Sequence, residues 1–218
     1  MQRVALFARA PLGSGVKTRL QPALPGRLAL DLYAASLADS LTAVAACPAG
    51  ERFVYWADAH GPARDSIAPR RQRGDDLGAR LSAAFEELLE APPDHALIVG
   101  SDAPALRAAH LAEAFAALEA HDVVLGPALD GGYWCVGLRR AAPEIFRDIP
   151  WSTDRVLAVT LERARAAGLR VATAATLQDL DTPADLARLV GALAAHDELA
   201  CGPSMRAALE ALGLALAR

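Results

Sequence analysis

Apolar segments of two lengths alternate along the chain. Short apolar runs predict buried strands, and longer segments with apolar residues every three or four positions predict amphipathic helices. Strands are predicted at residues 4–8, 52–56, 96–100, 122–126, 133–138 and 169–172. Helices are predicted at residues 27–46, 77–90, 108–120, 153–167, 183–195 and 204–216. This alternation predicts an α/β domain built on a mostly parallel sheet with helices on both faces.

The composition narrows the class of protein. A length of 218 residues fits one sizeable α/β domain, and a net charge of -4 argues against a nucleic-acid-binding surface. Three widely spaced cysteines without a C-x-x-C pair predict reduced thiols in a cytoplasmic protein and no zinc site. No targeting segment is recognised, and Asp31 and Asp39 in the long apolar stretch 28–46 predict an amphipathic helix rather than a membrane span.

The basic residues contain one anomaly. Lys17 is the only lysine among 22 basic residues, and it follows the first predicted strand in a glycine-bearing loop. A lysine presents a compact, mobile ammonium, whereas an arginine presents a planar fork. An ammonium at this position suits the binding of a phosphate. The loop matches neither the P-loop fingerprint G-x-x-x-x-G-K-[ST] nor the dinucleotide fingerprint G-x-G-x-x-G, and the absence of the second argues against a Rossmann NAD site. The alternative is a flexible loop with solvated Lys17 and Arg19.

Two acidic segments follow predicted buried elements. Asp102 comes just after the strand at 96–100, and Asp181 lies in the segment Asp179-Leu180-Asp181-Thr182-Pro183. Ligands of open α/β sheets bind beyond the carboxyl ends of the strands, and Mg²⁺ takes one or two carboxylates together with phosphate oxygens. We therefore expect Asp102 and Asp181 to converge on one cation. The alternative makes either residue a helix cap, which leaves the D-x-D spacing unexplained.

Three further segments carry candidate chemistry. Asp130-Gly131-Gly132 between apolar runs predicts a hairpin, and its glycines also offer a substrate close approach beside Tyr133. Residues 72–78 form a polar glycine loop before a helix, a candidate base or ribose contact. Residues 151–153 are predicted to begin a helix, and capping of that helix by itself explains Ser152. Trp151 is either a core residue or part of the wall of an acceptor-binding site.

These segments together resemble a known family. Phe7-Ala8-Arg9-Ala10-Pro11, Val16-Lys17-Thr18-Arg19-Leu20, Gly100-Ser101-Asp102, Asp130-Gly131-Gly132-Tyr133-Trp134, Trp151-Ser152-Thr153 and Asp179-x-Asp181-Thr182-Pro183 occur in the order found in the DUF2064 family. This set of bacterial proteins, often labelled glycosyltransferases, belongs with the nucleotide-diphospho-sugar transferases of GT-A fold. The first loop and the segments around Asp102 and Asp130 are also similar to the phospholactate guanylyltransferases. The chain departs from the family at Gly13-Ser14-Gly15, Ala105 and Leu129, where the family tends to have Pro-Gly and two acids.

The resemblance implies a single GT-A-like domain over residues 1–218. Residues 1–100 would bind the nucleotide, residues 101–200 would hold the metal and the acceptor, and residues 201–218 would add a C-terminal helix. The resemblance does not decide the reaction, because one fold supports several functions. Lys17 favours nucleotidyl transfer from an NTP to a phosphorylated small-molecule acceptor, with Mg²⁺ or Mn²⁺, because a triphosphate brings more charge to neutralise. Glycosyl transfer from a nucleotide sugar and a non-catalytic nucleotide-binding domain remain alternatives. A second copy of the chain is a further candidate partner, whereas nucleic acid and membrane are not.

The site residues that follow are grouped by role. Lys17, Arg19 and Asp130 are assigned to catalysis. Nucleotide binding is assigned to Ala8, Arg9, Gly13, Gly15, Lys17, Gln72, Gly74 and Gly78. Acceptor binding is assigned to Gly131, Gly132, Tyr133, Trp151, Ser152 and Thr153. The metal is assigned to Asp102 and Asp181.

Overall fold

The computed structural model describes residues 1–12, 15–58, 61–62, 64–90 and 95–214. The strands are β1 (Gln2–Ala8), β2 (Glu51–Trp56), β3 (Ala68–Arg71), β4 (His95–Gly100), β5 (Val123–Pro127), β6 (Tyr133–Leu138) and β7 (Val171–Thr173). The helices are α1 (Gly26–Ala46), α2 (Leu77–Leu88), α3 (Ala108–Leu118), α4 (Val156–Ala166), α5 (Pro183–Ala194) and α6 (Pro203–Ala211). Short 3₁₀ turns lie at Thr18–Leu20 and Pro143–Phe146.

The strands form one sheet in the order β3-β2-β1-β4-β6-β5-β7. All pairings are parallel except those of β6, which runs antiparallel to both β4 and β5. The predicted mostly parallel α/β sheet and its six strands are thereby confirmed. The sequence patterns missed β3, an exposed edge strand with the sequence Ala-Pro-Arg-Arg. Proline is tolerated at a sheet edge because the missing N–H breaks no inner ladder.

Apolar side chains of β1 alternate between two cores. Val4 and Leu6 pack with α1 and α3 on one face, whereas Ala5 packs with α2 and the Pro143–Phe146 turn on the other. This alternation follows from the two-residue repeat of a strand. The sheet is therefore covered on both sides, as predicted.

Helix α1 also carries a third apolar cluster. Leu32 of α1 packs with Leu189 of α5 and Met205 of α6. The C-terminal helix thus packs on the domain itself. Helix α1 is long and apolar enough to cross a membrane by length and composition, but 56% of its most apolar window is buried inside the fold.

The acid within α1 does not face solvent. Asp39 is buried, and its carboxylate accepts hydrogen bonds from the backbone N–H groups of Ser204 and Met205, both at 2.9 Å. A carboxylate at a helix N-terminus satisfies free donors and complements the helix dipole. In the sequence, Asp39 indicated a polar face of α1. In the structure, this residue contacts the N-terminus of α6 instead of solvent.

Candidate functional site

The carboxyl ends of β1 and β4 meet at one edge of the sheet, because these strands are parallel neighbours. The loop after β1 carries Lys17, and the segment after β4 carries Asp102. The backbone N–H of Leu180 donates to the carbonyl of Asp102 at 2.9 Å. This bond brings the segment before α5, with Asp181, to the same place.

Helix α1 holds the tails of β1 and β4 in position. The Tyr33 hydroxyl donates to the Arg9 carbonyl and accepts from the Arg9 N–H, both at 2.9 Å. The Ser36 hydroxyl donates to the Ser101 carbonyl at 2.8 Å. Both loops are thus tied to a core helix before they reach the charged residues of the site.

Lys17 is buried between two carboxylates. Its side chain is 5% exposed, its ammonium pairs with Asp102, and it lies 3.6 Å from Asp181 Oδ1. Arg19 is exposed and donates to Asp181 Oδ2 at 2.9 Å. Burial by itself would lower the pKa of Lys17, but the charge of Asp102 and its hydrogen bond, followed by the charge of Asp181, raise it above the usual value. The alternative of a solvated loop lysine is therefore wrong.

Capping does not account for Asp102. Helix α3 begins at Ala108, and its N-cap is Arg107, five residues beyond Asp102. Before α5, Thr182 is the N-cap and forms a reciprocal capping box with Asp185. Asp181 is therefore left to pair with the cations.

A cavity of about 250 Å³ opens at this edge of the sheet. It brings together the predicted metal and acceptor segments, which lie far apart in sequence. The predicted site residues that line it are Asp102, Asp130, Gly132, Tyr133, Trp151, Ser152, Thr153 and Asp181. Their roles toward a substrate stay predictions, but their meeting in one cavity is a property of the fold.

Asp179 is a further lining residue to which the sequence analysis assigned no role. It is 8% exposed, and its Oδ1 has no hydrogen-bond partner among the described residues. Burial, followed by the negative charge of Asp130, raises the pKa of Asp179 to about 6. The D-x-D spacing was a signal for this residue, but its burial could not be read from the sequence.

The Asp-Gly-Gly segment forms a turn held by its own residues. Asp130 Oδ1 accepts from the Gly132 N–H at 2.8 Å, and Gly131 has a φ of +88°. A Cβ at Gly131 would lie 2.2 Å from the Asp154 carbonyl oxygen. The side of Gly131 that a Cβ would occupy is therefore filled by the chain itself. Gly131 does not line the cavity, and its contact with an acceptor stays a prediction.

Residues 151–153 precede α4 without capping it. The helix begins at Val156, and Ser152 has a left-handed φ of 65° that is uncommon for a residue other than glycine. The expectation that Ser152 caps a helix is therefore wrong. Trp151 packs edge-on against Tyr133 with ring centroids 6.4 Å apart, and it both borders a core cluster and lines the cavity.

Packing accounts for the polar glycine loop before α2. Gln72 Nε2 donates to the Tyr55 carbonyl at 2.9 Å. A Cβ at Gly74 would lie 2.8 Å from the Ala79 backbone, and one at Gly78 would lie 2.6 Å from a backbone carbonyl. None of these three residues lines the cavity, and their contact with a nucleotide stays a prediction.

The other predicted nucleotide residues lie in or near the first loop. Ala8 is buried at the end of β1, and Arg9 is exposed with its Nε 3.7 Å from Asp58. A Cβ at Gly15 would meet no atom within 4 Å. Gly13 lies outside the described residues.

The carboxylates fit a divalent ion that arrives with phosphate. Among the described residues, no three His, Cys, Asp or Glu side chains are grouped to hold a metal by themselves. Asp102 and Asp181 do converge, because both contact the Lys17 ammonium. Since Mg²⁺ usually takes one or two carboxylates and completes its shell with water and substrate phosphate, this donor set suits a nucleotide-bound ion.

Solved structures share this fold. A provisionally assigned nucleotide-diphospho-sugar transferase from Desulfovibrio desulfuricans G20 is 27% identical, with a TM-score of 0.86 over 98% of this chain and 96% of that one. Rv0371c from Mycobacterium tuberculosis H37Rv, in complex with manganese, is 17% identical, with a TM-score of 0.52 over 86% of this chain and 97% of its own. A 4-diphosphocytidyl-2C-methyl-D-erythritol synthase is 16% identical, with a TM-score of 0.51 over 86% and 97%. The fold is that of the nucleotide-diphospho-sugar transferases.

Sequence comparison identifies the family. No curated protein matches the chain. The model of the family described as "uncharacterized protein conserved in bacteria (DUF2064)" matches residues 33–153. This match covers more than half of the chain, and we conclude that the protein belongs to the DUF2064 family.

Proposed function

We propose that this protein transfers a nucleotidyl group from an NTP to a phosphorylated small-molecule acceptor. One observation carries the proposal. The buried ammonium of Lys17 lies between Asp102 and Asp181, beside the cavity at the carboxyl edge of the sheet. Burying a charged side chain is costly unless it is paired. In the protein alone the two carboxylates provide that pairing. A polyphosphate that arrives with a divalent ion would exchange these partners, because the ion would take Asp102 and Asp181 and leave the ammonium to the phosphates.

In the transfer that we propose, one bond forms at the α-phosphorus of the NTP and one bond to the same phosphorus breaks. An oxygen of the acceptor phosphate forms a bond to the α-phosphorus of the NTP, and the bond from that phosphorus to pyrophosphate breaks. Catalysis of this kind consists mostly of positioning and charge neutralisation. Lys17 and Arg19 would neutralise the phosphates, and a divalent ion held by Asp102 and Asp181 would neutralise the leaving group.

The comparisons support the transferase class. The Desulfovibrio protein, which covers almost the whole chain, is named for nucleotide-diphospho-sugar transfer. Its name favours the second candidate, glycosyl transfer from a nucleotide sugar. In that reaction the same carboxylates would hold an ion on the diphosphate leaving group. We favour the NTP because a triphosphate brings more negative charge to Lys17 and Arg19.

The deciding experiment measures thermal unfolding with the four NTPs and with nucleotide sugars, each with and without Mg²⁺. A ligand that binds only the folded state raises its stability by mass action. We expect Mg²⁺-dependent stabilisation by an NTP, followed by pyrophosphate release when phosphorylated acceptors are added. Stabilisation by nucleotide sugars alone would select glycosyl transfer, and binding without turnover would select a non-catalytic domain.

Two variants sharpen the test. Arg19→Gln removes an exposed cation beside Asp181 and should weaken NTP binding. Arg140→Gln is the matched control, because Arg140 is similarly exposed, at 60% against 68% for Arg19, and lies 4.0 Å from Glu144, beyond the end of β6 at the opposite edge of the sheet. Equal NTP affinity in the two variants would remove Arg19 from the proposed site.

The role of Asp130 toward the acceptor is tested by Asp130→Asn. Asparagine keeps the side-chain oxygen that accepts from the Gly132 N–H, so the turn should persist while the charge is lost. A loss of turnover larger than the loss of nucleotide affinity would support an acceptor role. A parallel loss of both would assign Asp130 to the nucleotide or metal side.

A further inference from the structure

The two ends of the cavity differ in charge balance. At one end, Asp102 and Asp181 pair with Lys17 and Arg19. At the other end, Asp130 and Asp179 line the same cavity, and neither forms an ion pair within the described part of the chain. The second end therefore presents two carboxylates without a salt-bridge partner among the described residues, although the charge of Lys17 acts on Asp179 from a longer distance.

The fold forces these two acids together. Ala128 and Leu177 form a parallel bridge, and the N–H of Leu129 donates to the Leu177 carbonyl at 3.2 Å. Asp130 and Asp179 each lie two residues beyond that bridge. Their proximity follows from backbone pairing, and the exposed Asp130 side chain is held by the hydrogen bond from the Gly132 N–H at 2.8 Å.

Asp179 lines the cavity, and its hydrogen bonding within the described part of the protein is incomplete. It is more than nine-tenths buried, and its Oδ1 has no hydrogen-bond partner among the described residues. A buried polar atom without a partner loses the hydration that it had in water and gains nothing in exchange. A hydroxyl group could donate a hydrogen bond to Oδ1, but it would not compensate the negative charges of Asp130 and Asp179. An ammonium group would both donate the hydrogen bond and compensate the charges.

The cavity wall around this end is aromatic. Tyr133, Trp134 and Trp151 line it, and the Trp134 indole N–H is already donated to the Ala175 carbonyl at 2.9 Å. The face of an indole ring attracts an alkylammonium by its quadrupole. Carboxylates beside aromatic rings therefore match a positively charged organic group better than a neutral one.

We propose that the phosphorylated acceptor carries an ammonium group, which binds Asp179 and Asp130 beside Trp151. The acceptor phosphate would lie toward Lys17 at the other end of the cavity. This inference rests on the proposed function, because it takes the acceptor to be a phosphate ester. A cavity of about 250 Å³ limits that ester to a small molecule.

The experiment compares two phosphate esters of the same shape. Phosphocholine carries a quaternary nitrogen, and 3,3-dimethylbutyl phosphate carries a carbon at the same position. Calorimetric titration of the full chain in Mg²⁺ measures both affinities. We expect phosphocholine to bind at least about 10-fold more tightly, a factor that corresponds to about 1.4 kcal/mol.

Variants assign the preference to the two acids. Asp179→Asn and Asp130→Asn should each lower the affinity ratio toward one. Asp154→Asn is the matched control, because Asp154 is a nearby exposed acid that does not line the cavity, and it should keep the ratio. Should Asp179→Asn fail to fold, Asp130→Asn, on the exposed turn, carries the test alone.

Failure of this inference is separable from failure of the proposed function. Equal binding of the two esters by the wild-type chain, or an unchanged ratio in both cavity variants, would overturn the ammonium site. NTP stabilisation, measured in the same samples, reports independently on nucleotidyl transfer. Equal binding of both esters together with intact NTP stabilisation would support the transfer with a phosphorylated acceptor that lacks an ammonium group.

Discussion

Replacing Lys17 with methionine tests the central charge arrangement of the site. Methionine keeps an unbranched side chain of similar length in the buried space but removes the ammonium. Asp102 and Asp181 then lose the cation that they share. A solvated loop lysine would contribute little to folding, whereas the burial of Lys17 at 5% exposure predicts a stability loss.

The magnitude follows from the geometry and the exposure. Lys17 Nζ and Asp181 Oδ1 are 3.6 Å apart. With an effective dielectric constant of about 20, the Coulomb attraction at this distance is roughly 5 kcal/mol before the cost of desolvation is subtracted. Breaking a fully buried pair costs about 3–5 kcal/mol, and an exposed pair contributes about 1 kcal/mol at most. Because Asp102 is 54% and Asp181 33% exposed, we expect a loss of about 1–3 kcal/mol.

Urea and thermal unfolding at pH 7 measure this loss. For a chain of this size, about 2 kcal/mol lowers the Tm by roughly 4–8 °C. Because the folded pKa of Lys17 is raised, its contribution is complete below the ordinary value near 10.5 and is lost as pH rises through the raised value. The difference between wild type and variant should therefore close only at strongly alkaline pH.

Magnesium and a second variant separate charge from packing. In Lys17→Met, the freed carboxylates should bind Mg²⁺, so the ion should stabilise this variant more than wild type. Adding Asp102→Asn should restore part of the stability, because fewer negative charges are then left unpaired. A Lys17→Met protein that unfolds within about 0.5 kcal/mol of wild type, the range of an ordinary surface substitution, would refute the buried-cation reasoning.

Two further predictions concern the framework around the site. Gly131→Ala combines a φ of +88° with a contact of 2.2 Å to the Asp154 carbonyl oxygen. Its control is Gly168→Ala, at φ +71° in open space, which should lose only the roughly 1–2 kcal/mol of left-handed strain. Urea unfolding should show a larger loss of stability for Gly131→Ala, and equal losses would contradict the clash. Hydrogen bonds from Arg170 lower the pKa of Asp122 to about 2 from 3.8, so this pair stabilises the fold above about pH 3.8 and loses its contribution as pH falls toward 2. The urea midpoints of wild type and Asp122→Asn should differ at pH 6 and converge near pH 2, and a constant difference would exclude the ion pair as the cause.

Local pattern was sufficient for most of the secondary structure. Continuous apolar runs marked the inner strands, because those strands are buried on both faces. The pattern failed for β3, whose Ala-Pro-Arg-Arg sequence is recruited by pairing with β2 and not by its own hydrophobicity. It also placed the start of α4 too early, because the segment after Trp151 is held by the turn at Gly131, whose carbonyl accepts from the N–H of Leu157.

The sequence by itself determined the fold class, the edge of the sheet at which the predicted site residues gather and the presence of a single lysine there, since each follows from order along the chain. Only the tertiary structure decided which charges meet. Arg19 and Asp181 are 162 residues apart, and the burial of Lys17 between Asp102 and Asp181 depends on the packing of several elements around them. Burial likewise leaves the Asp179 Oδ1 without a hydrogen-bond partner in the part of the chain that the structure describes. Burial and long-range pairing set the strength of electrostatic interactions, and neither can be read from residue order.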